Sequence, residues 1–224
     1  MIERLFIPGP AGPLEGLLEY DRGVRLRRTA PHPIGSVSPS LAAVVCHPHP
    51  SFGGTMHNKV VFRAAKAALQ AGAAVLRFNF RGVGKSRGAY ADGIGEREDV
   101  RAALDYLQSR FPEARLCLIG FSFGAWVGLA VGAGDARVAA LVGLGIPIAT
   151  TDMGFLRGVT KSKLFVQGTL DEFGPADQMQ CFFASLDEPK QIHWVQDTDH
   201  FFTGKLEEVQ TTIREFMEGV PGKA

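Results

Sequence analysis

The feature that most restricts how this chain can fold is a repeated alternation of strand-length apolar runs with segments of helical period. From position 41 onward the runs are Leu41 to Cys46, Ala74 to Phe80, Leu116 to Ile119, Val138 to Leu144, Lys163 to Val166 and Gln191 to Val195. Between them, Asn58 to Gly72 places Val61, Ala64, Ala65 and Ala68 on one face, and Glu96 to Ser109 does the same with Val100, Ala103, Leu104 and Leu107. Pro175 opens another helix toward Leu186, and the last helix carries Leu206, Val209, Ile213 and Phe216. Such alternation predicts an α/β fold, a mostly parallel, twisted sheet of about eight strands with helices on both faces and right-handed crossovers. Ahead of it, Leu5 to Pro8 and Leu14 to Tyr20 flank a Gly/Pro turn and read as a hairpin at the sheet edge. The 224 residues suit one domain, 1–224, with the Arg- and Pro-containing stretch 21–40 as a surface excursion.

In a sheet of this kind reactive side chains belong at the carboxyl ends of the strands. Gly120-Phe121-Ser122-Phe123-Gly124 stands where a strand should turn sharply into a helix, and its pattern G-x-S-x-G makes Ser122 a candidate nucleophile. A serine hydroxyl is a weak nucleophile at neutral pH and needs a general base, itself oriented by an acid. Asp171 follows the strand ending at Val166, and His200 follows the strand ending at Val195, in the order Ser, Asp, His. Asp197 and Asp199 are rival acids, but they lie three residues and one residue before His200 and would have to fold back to reach its Nδ1. Among the other histidines, His32 falls in the excursion, His57 reads as a helix-start residue and His193 as a satisfied core histidine in a strand. An oxyanion hole needs two backbone N–H groups, one of them from Phe123 at the helix start. The second is expected after Cys46, where His49 is flanked by two prolines that have no N–H; Ser51 and Phe52 are the fallback.

Several other features weigh toward bland roles. The two prolines around His49, and the lack of further ligands at a familiar spacing, argue against a metal at His47 and His49, and no cofactor is expected. Residues Asn79 to Ser86 end like a phosphate-binding loop but have Asn79 where its first glycine belongs, and no helix follows directly. Gly128 and Gly132 read as small residues that let the helix after Ser122 approach the sheet. Cys46, Cys117 and Cys181 have no C-x-x-C spacing and read as small core hydrophobes. A net charge of +1 gives no reason to expect nucleic acid, and no apolar run is long enough to span a bilayer. With no signal-like start, the expected compartment is the cytoplasm. The sequence assigns no oligomeric state.

With elbow, acid and histidine placed, the chain resembles the α/β-hydrolase superfamily along essentially its whole length. More narrowly, Cys46-His47-Pro48-His49-Pro50 with Gly53-Gly54-Thr55-Met56-His57-Asn58-Lys59, and then Arg77 to Ser86, look like a small bacterial branch similar to dienelactone hydrolases and short-chain esterases. The resemblance implies Ser122 as nucleophile, Asp171 as acid, His200 as base, and Phe123 with His49 as oxyanion donors. Many relatives insert a helical lid after the strand that here ends near Gly145; the connection to Lys163 is too short for a cap domain. An open cleft is therefore expected, walled by some of Phe52, Phe121, Trp126, Ile146, Ile148, Met153, Phe155 and Phe173, with Phe52, Trp126, Ile146 and Phe173 as the substrate contacts. The implied activity is a serine hydrolase acting on carboxylic esters of a small-molecule acyl substrate. Thioesterase, peptidase and lactone hydrolase share its intermediate, and a catalytically silent binding protein is the reading from another class.

Overall fold

The computed structural model describes residues 1–21 and 39–221. The predicted excursion, with His32, lies almost wholly outside the described residues. Among these residues eight strands form one sheet: β1 (Ile2–Ile7), β2 (Leu14–Glu19), β3 (Leu41–Cys46), β4 (Ala74–Phe78), β5 (Arg115–Phe121), β6 (Val138–Leu144), β7 (Ser162–Gly168) and β8 (Lys190–Val195). Among the described residues five α-helices accompany them: α1 (Lys59–Gln70), α2 (Ile94–Arg110), α3 (Phe123–Gly134), α4 (Ala176–Ala184) and α5 (Leu206–Glu218). The spatial order is β1-β2-β4-β3-β5-β6-β7-β8. β1 pairs antiparallel with β2 and β2 antiparallel with β4, so the hairpin forms one edge; every pair from β4 to β8 is parallel.

The alternation of side chains along each strand divides the core in two. Ala42, Val44 and Cys46 of β3 face Val100 and Leu104 of α2, Val127 and Leu129 of α3 and Met179 of α4. Leu41, Ala43 and Val45 face the other way, with Val60, Val61 and Ala64 of α1 and Val209 and Ile213 of α5. Each buried aliphatic side chain contributes roughly 1.5–3 kcal/mol, and both clusters must form for the central strands to be dry on both faces. Gly128 and Gly132 sit where α3 crosses the sheet; a Cβ on either would stand 2.7 Å from Leu118 or Leu141. Their close-approach role is met.

Some boundaries differ from the sequence reading for visible reasons. β4 stops at Phe78 because the pairing beyond it is incomplete: Asn79 N–H still donates to Glu15 O (2.8 Å), but Glu15 N–H goes to Ser86 Oγ (2.9 Å) and Phe80 N–H to His47 Nε2 (3.0 Å). α2 begins at Ile94, two residues before the expected Glu96, because the Glu96 carboxylate reaches back to accept from Ala91 and Gly93 N–H. β7 continues to Gly168, which takes Gln167 out of the loop and into the buried strand end. Cys46 and Cys117 are core residues, but Cys181 is exposed on α4 and is not. Between β6 and β7 only a short 3₁₀ turn, Gly154–Leu156, intervenes, and the described residues include no cap domain.

Candidate active site

Three loops at the carboxyl ends of β5, β7 and β8 bring together Ser122, Asp171 and His200. Ser122 has φ 54° and ψ −120°, a conformation that costs about 1–3 kcal/mol for a residue with a Cβ. Backbone bonds hold it there: its N–H donates to Leu144 O (2.9 Å), and its carbonyl accepts from Ala125 (2.8 Å) and Trp126 (3.1 Å). The flanking glycines are required by contact. A Cβ on Gly120 would overlap the Gly124 carbonyl, and one on Gly124 would overlap the carbonyls of Cys46 and His47.

Ser122 Oγ lies 2.9 Å from His200 Nε2, and His200 Nδ1 lies 2.8 Å from Asp171 Oδ2. The carboxylate side chain is fully buried and accepts three further bonds, from Gln167 Nε2 (2.7 Å), Phe173 N–H (2.9 Å) and Gly174 N–H (3.2 Å). In the tautomer that fits these partners, Nδ1–H donates to the carboxylate and Nε2 presents its lone pair to the serine hydroxyl. The imidazole is packed by Phe173, Phe121 and Phe201, with ring centroids 4.7, 5.0 and 5.4 Å away. The rival Asp199 is engaged in its own loop, accepting from Phe201 N–H, Thr203 N–H and Thr203 Oγ1. Asp197 is exposed and does not contact His200.

The loop after β3 lies against the start of α3, its His49 ring 4.9 Å from that of Phe123. Among the described residues neither the Phe123 nor the His49 N–H has a hydrogen-bond acceptor. Both histidine rings in this loop are committed to the protein. His47 is buried; Nδ1 donates to Pro48 O (2.6 Å), and Nε2 accepts from Phe80 N–H. Burial pushes its pKa down to about 4, against a smaller upward pull from the Pro48 carbonyl. His49 accepts from Ser51 N–H at Nδ1 (3.2 Å) and faces Tyr90 Oη at Nε2 (3.2 Å), and burial also lowers its pKa.

A family model of the alpha/beta hydrolase domain matches residues 42–220. The chain belongs to the alpha/beta hydrolase family. An uncharacterized protein of Rickettsia prowazekii is 34% identical over 96% of this chain and 88% of its own. A Xanthomonas campestris protein described as an α/β serine hydrolase without lid superposes with a TM-score of 0.84 at 31% identity, covering 100% of this chain and 97% of that one. An α/β serine hydrolase homologue from Coxiella burnetii gives 0.83 at 35% identity, covering 95% and 96%. These likenesses agree with a small, lidless bacterial branch of the hydrolases.

The remaining expected residues of this hydrolase fare unequally. Phe52 is 86% exposed and Phe173 39% exposed, and both flank the histidines of the site. Trp126 is half-buried between Phe123 and the Arg97 guanidinium. Ile146 is fully buried in the core, as are Phe121 and Met153, so Ile146 offers no surface to a ligand. Exposed Tyr90, Leu170 and Phe201 were not singled out; adjacency to His200 was an available signal for Phe201, whereas Tyr90 lies 32 residues before Ser122 and gave none. His193 is not a core residue: it stands half-exposed and bonded to Glu208 (2.9 Å). His57 is exposed ahead of α1, which Asn58 caps by accepting from Val60 N–H. The stretch resembling a phosphate loop is filled from within, since Glu15 Oε2 accepts from Lys85 N–H and Asn79 Nδ2, both at 2.9 Å. Among the described residues no helix is long and apolar enough to cross a membrane.

Proposed function

We propose that the protein is a serine hydrolase that cleaves carboxylic esters through an acyl-enzyme. The observation that carries this reading is the unbroken hydrogen-bonded path from Asp171 through His200 to the strained Ser122. Ser122 Oγ attacks the ester carbonyl while His200 Nε2 takes its proton, and Asp171 stabilises the imidazolium that results. The carbonyl oxygen, now negative, is held by the N–H groups of Phe123 and His49, the former aided by the positive end of α3. His200 then returns the proton to the leaving alcohol, and a water deprotonated by the same nitrogen releases the acid.

Apolar acyl groups suit the site. Phe52, Tyr90, Leu170, Phe173 and Phe201 are all exposed and belong to loops that meet the catalytic face, where they can shed water onto a ligand. A fluorophosphonate probe is expected to label Ser122 and to fail on Ser122→Ala, whose kcat on p-nitrophenyl esters should fall by about 10⁶-fold. Hydrolysis by Ser122→Ala within about tenfold of the parent would remove the assignment. Faster turnover of acyl-CoAs or peptide amides in the same panel would replace the ester by that leaving group, and folded protein that no probe labels would indicate a binding module.

A further inference from the structure

Gln167, next to the end of β7, is fully buried, and each polar group of its side chain is used. Oε1 accepts from Ile146 N–H (2.8 Å), while Nε2 donates to Asp171 Oδ2 (2.7 Å) and to Gly174 O (3.1 Å). Asp171 Oδ2 is the same oxygen that receives His200 Nδ1–H. The Gly145-Ile146 turn, for its part, lies against the imidazole, and a Cβ on Gly145 would stand 3.1 Å from both Cε1 and Nδ1 of His200. One carboxamide is therefore fastened to the carboxylate at the edge of the imidazole and to the backbone turn that backs the ring.

We propose that Gln167 is a positioning residue for this site, holding Asp171 and the Gly145-Ile146 turn so that His200 is fixed between them. The proposal rests on the reading of Ser122, His200 and Asp171 as a triad. Glutamine suits the place because it must donate to a carboxylate and accept from an amide at once, and it does not ionise. Its donation to Oδ2 also draws charge from the oxygen that faces Nδ1. Without that donor the anion would stabilise imidazolium more strongly, and the base would keep its proton to higher pH. The charged group facing His200 is Asp171. Asp199, in the loop of His200, is spent on Thr203 and Phe201; Asp197 of that loop is exposed, with its N–H donated to Thr169 Oγ1; and the neighbours from β5 and from the loop after β7 are the rings of Phe121 and Phe173.

The test compares the parent, Gln167→Met and Gln167→Leu in the pH dependence of kcat/KM on p-nitrophenyl acetate. The His200 imidazole is titrated alongside by NMR in ¹⁵N-histidine-labelled protein. For Gln167→Met the acid limb is expected to move up by about half a pH unit or more, with kcat at the plateau down about tenfold and KM within about twofold. Gln167→Leu removes the donor with a differently shaped side chain and should move the limb the same way; it decides the matter if the Met variant does not fold. A parental acid limb in whichever variant folds overturns the proposal, even if the rate drops, because lost packing alone does not move a titration. Failure of both to fold assigns Gln167 to the core and overturns it equally. The NMR titration needs no substrate. A shifted His200 in a protein that hydrolyses no ester leaves Gln167 standing and removes the ester reading, whereas Ser122-dependent hydrolysis with an unshifted His200 removes Gln167 alone.

Discussion

At Ser122 the backbone conformation and the side chain make opposite demands. With φ 54° the residue would be most relaxed as glycine, yet the hydroxyl that meets His200 requires a Cβ. Strain of about 1–3 kcal/mol is opposed by the roughly 0.5–1 kcal/mol of extra unfolded-chain entropy that glycine brings, so relief of strain should win. Ser122→Gly is thus expected to be more stable than Ser122→Ala by about 1 kcal/mol in urea denaturation, with both inactive. An alanine variant as stable as the glycine variant would mean that the elbow is not strained. Gly124 shows the converse demand. Its missing Cβ lets α3 start against the carbonyls of Cys46 and His47, and this contact sets the Phe123 N–H beside the loop that carries His49.

Between elements, His47 joins the end of β3 to the end of β4 through its bonds to Pro48 O and Phe80 N–H. Burial lowers its pKa from 6.5 to about 4, so the unfolded chain binds more protons than the folded one between those values. Stability from this group is complete above pH 6.5 and declines as pH falls toward 4, by on the order of 3 kcal/mol across the window. Urea midpoints measured over that range should fall with pH in the parent and fall less steeply in His47→Asn; equal slopes would exclude His47 as the source. The tie between α2 and the loop after β4 is electrostatic. Asp99, fully buried, accepts from Arg81 N–H (3.0 Å) and pairs with its guanidinium (2.7 Å). Asp99→Ala leaves that cation buried without its partner and should cost about 3–5 kcal/mol in chemical denaturation. A loss under about 1 kcal/mol would show that water reaches Arg81.

At the scale of the molecule, the short 145–161 connection places no cap domain over the face that carries Ser122, Asp171 and His200 among the described residues. With no cap to open among the described residues, rates on p-nitrophenyl decanoate should rise smoothly through the solubility limit of the ester; a jump at that limit would indicate a covering element. The same architecture explains how much of the fold is legible in the sequence. Alternating apolar runs gave the parallel sheet, since strands buried on two faces admit few other sequences. Sheet topology then placed Ser122, Asp171 and His200 at one end, because each follows a strand whose carboxyl end points there. Three things were decided only in three dimensions. Gln167 looked like a loop residue until β7 was seen to extend past it, Ile146 was assigned to the cleft although its side chain turns into the core, and His47 gave no sign of joining two strands. Sequence period records which face of an element is apolar, so it fixes layers and strand ends. Contacts between residues 21 or 33 positions apart, such as Ile146 with Gln167 and His47 with Phe80, leave no period and arise only when separate loops pack together.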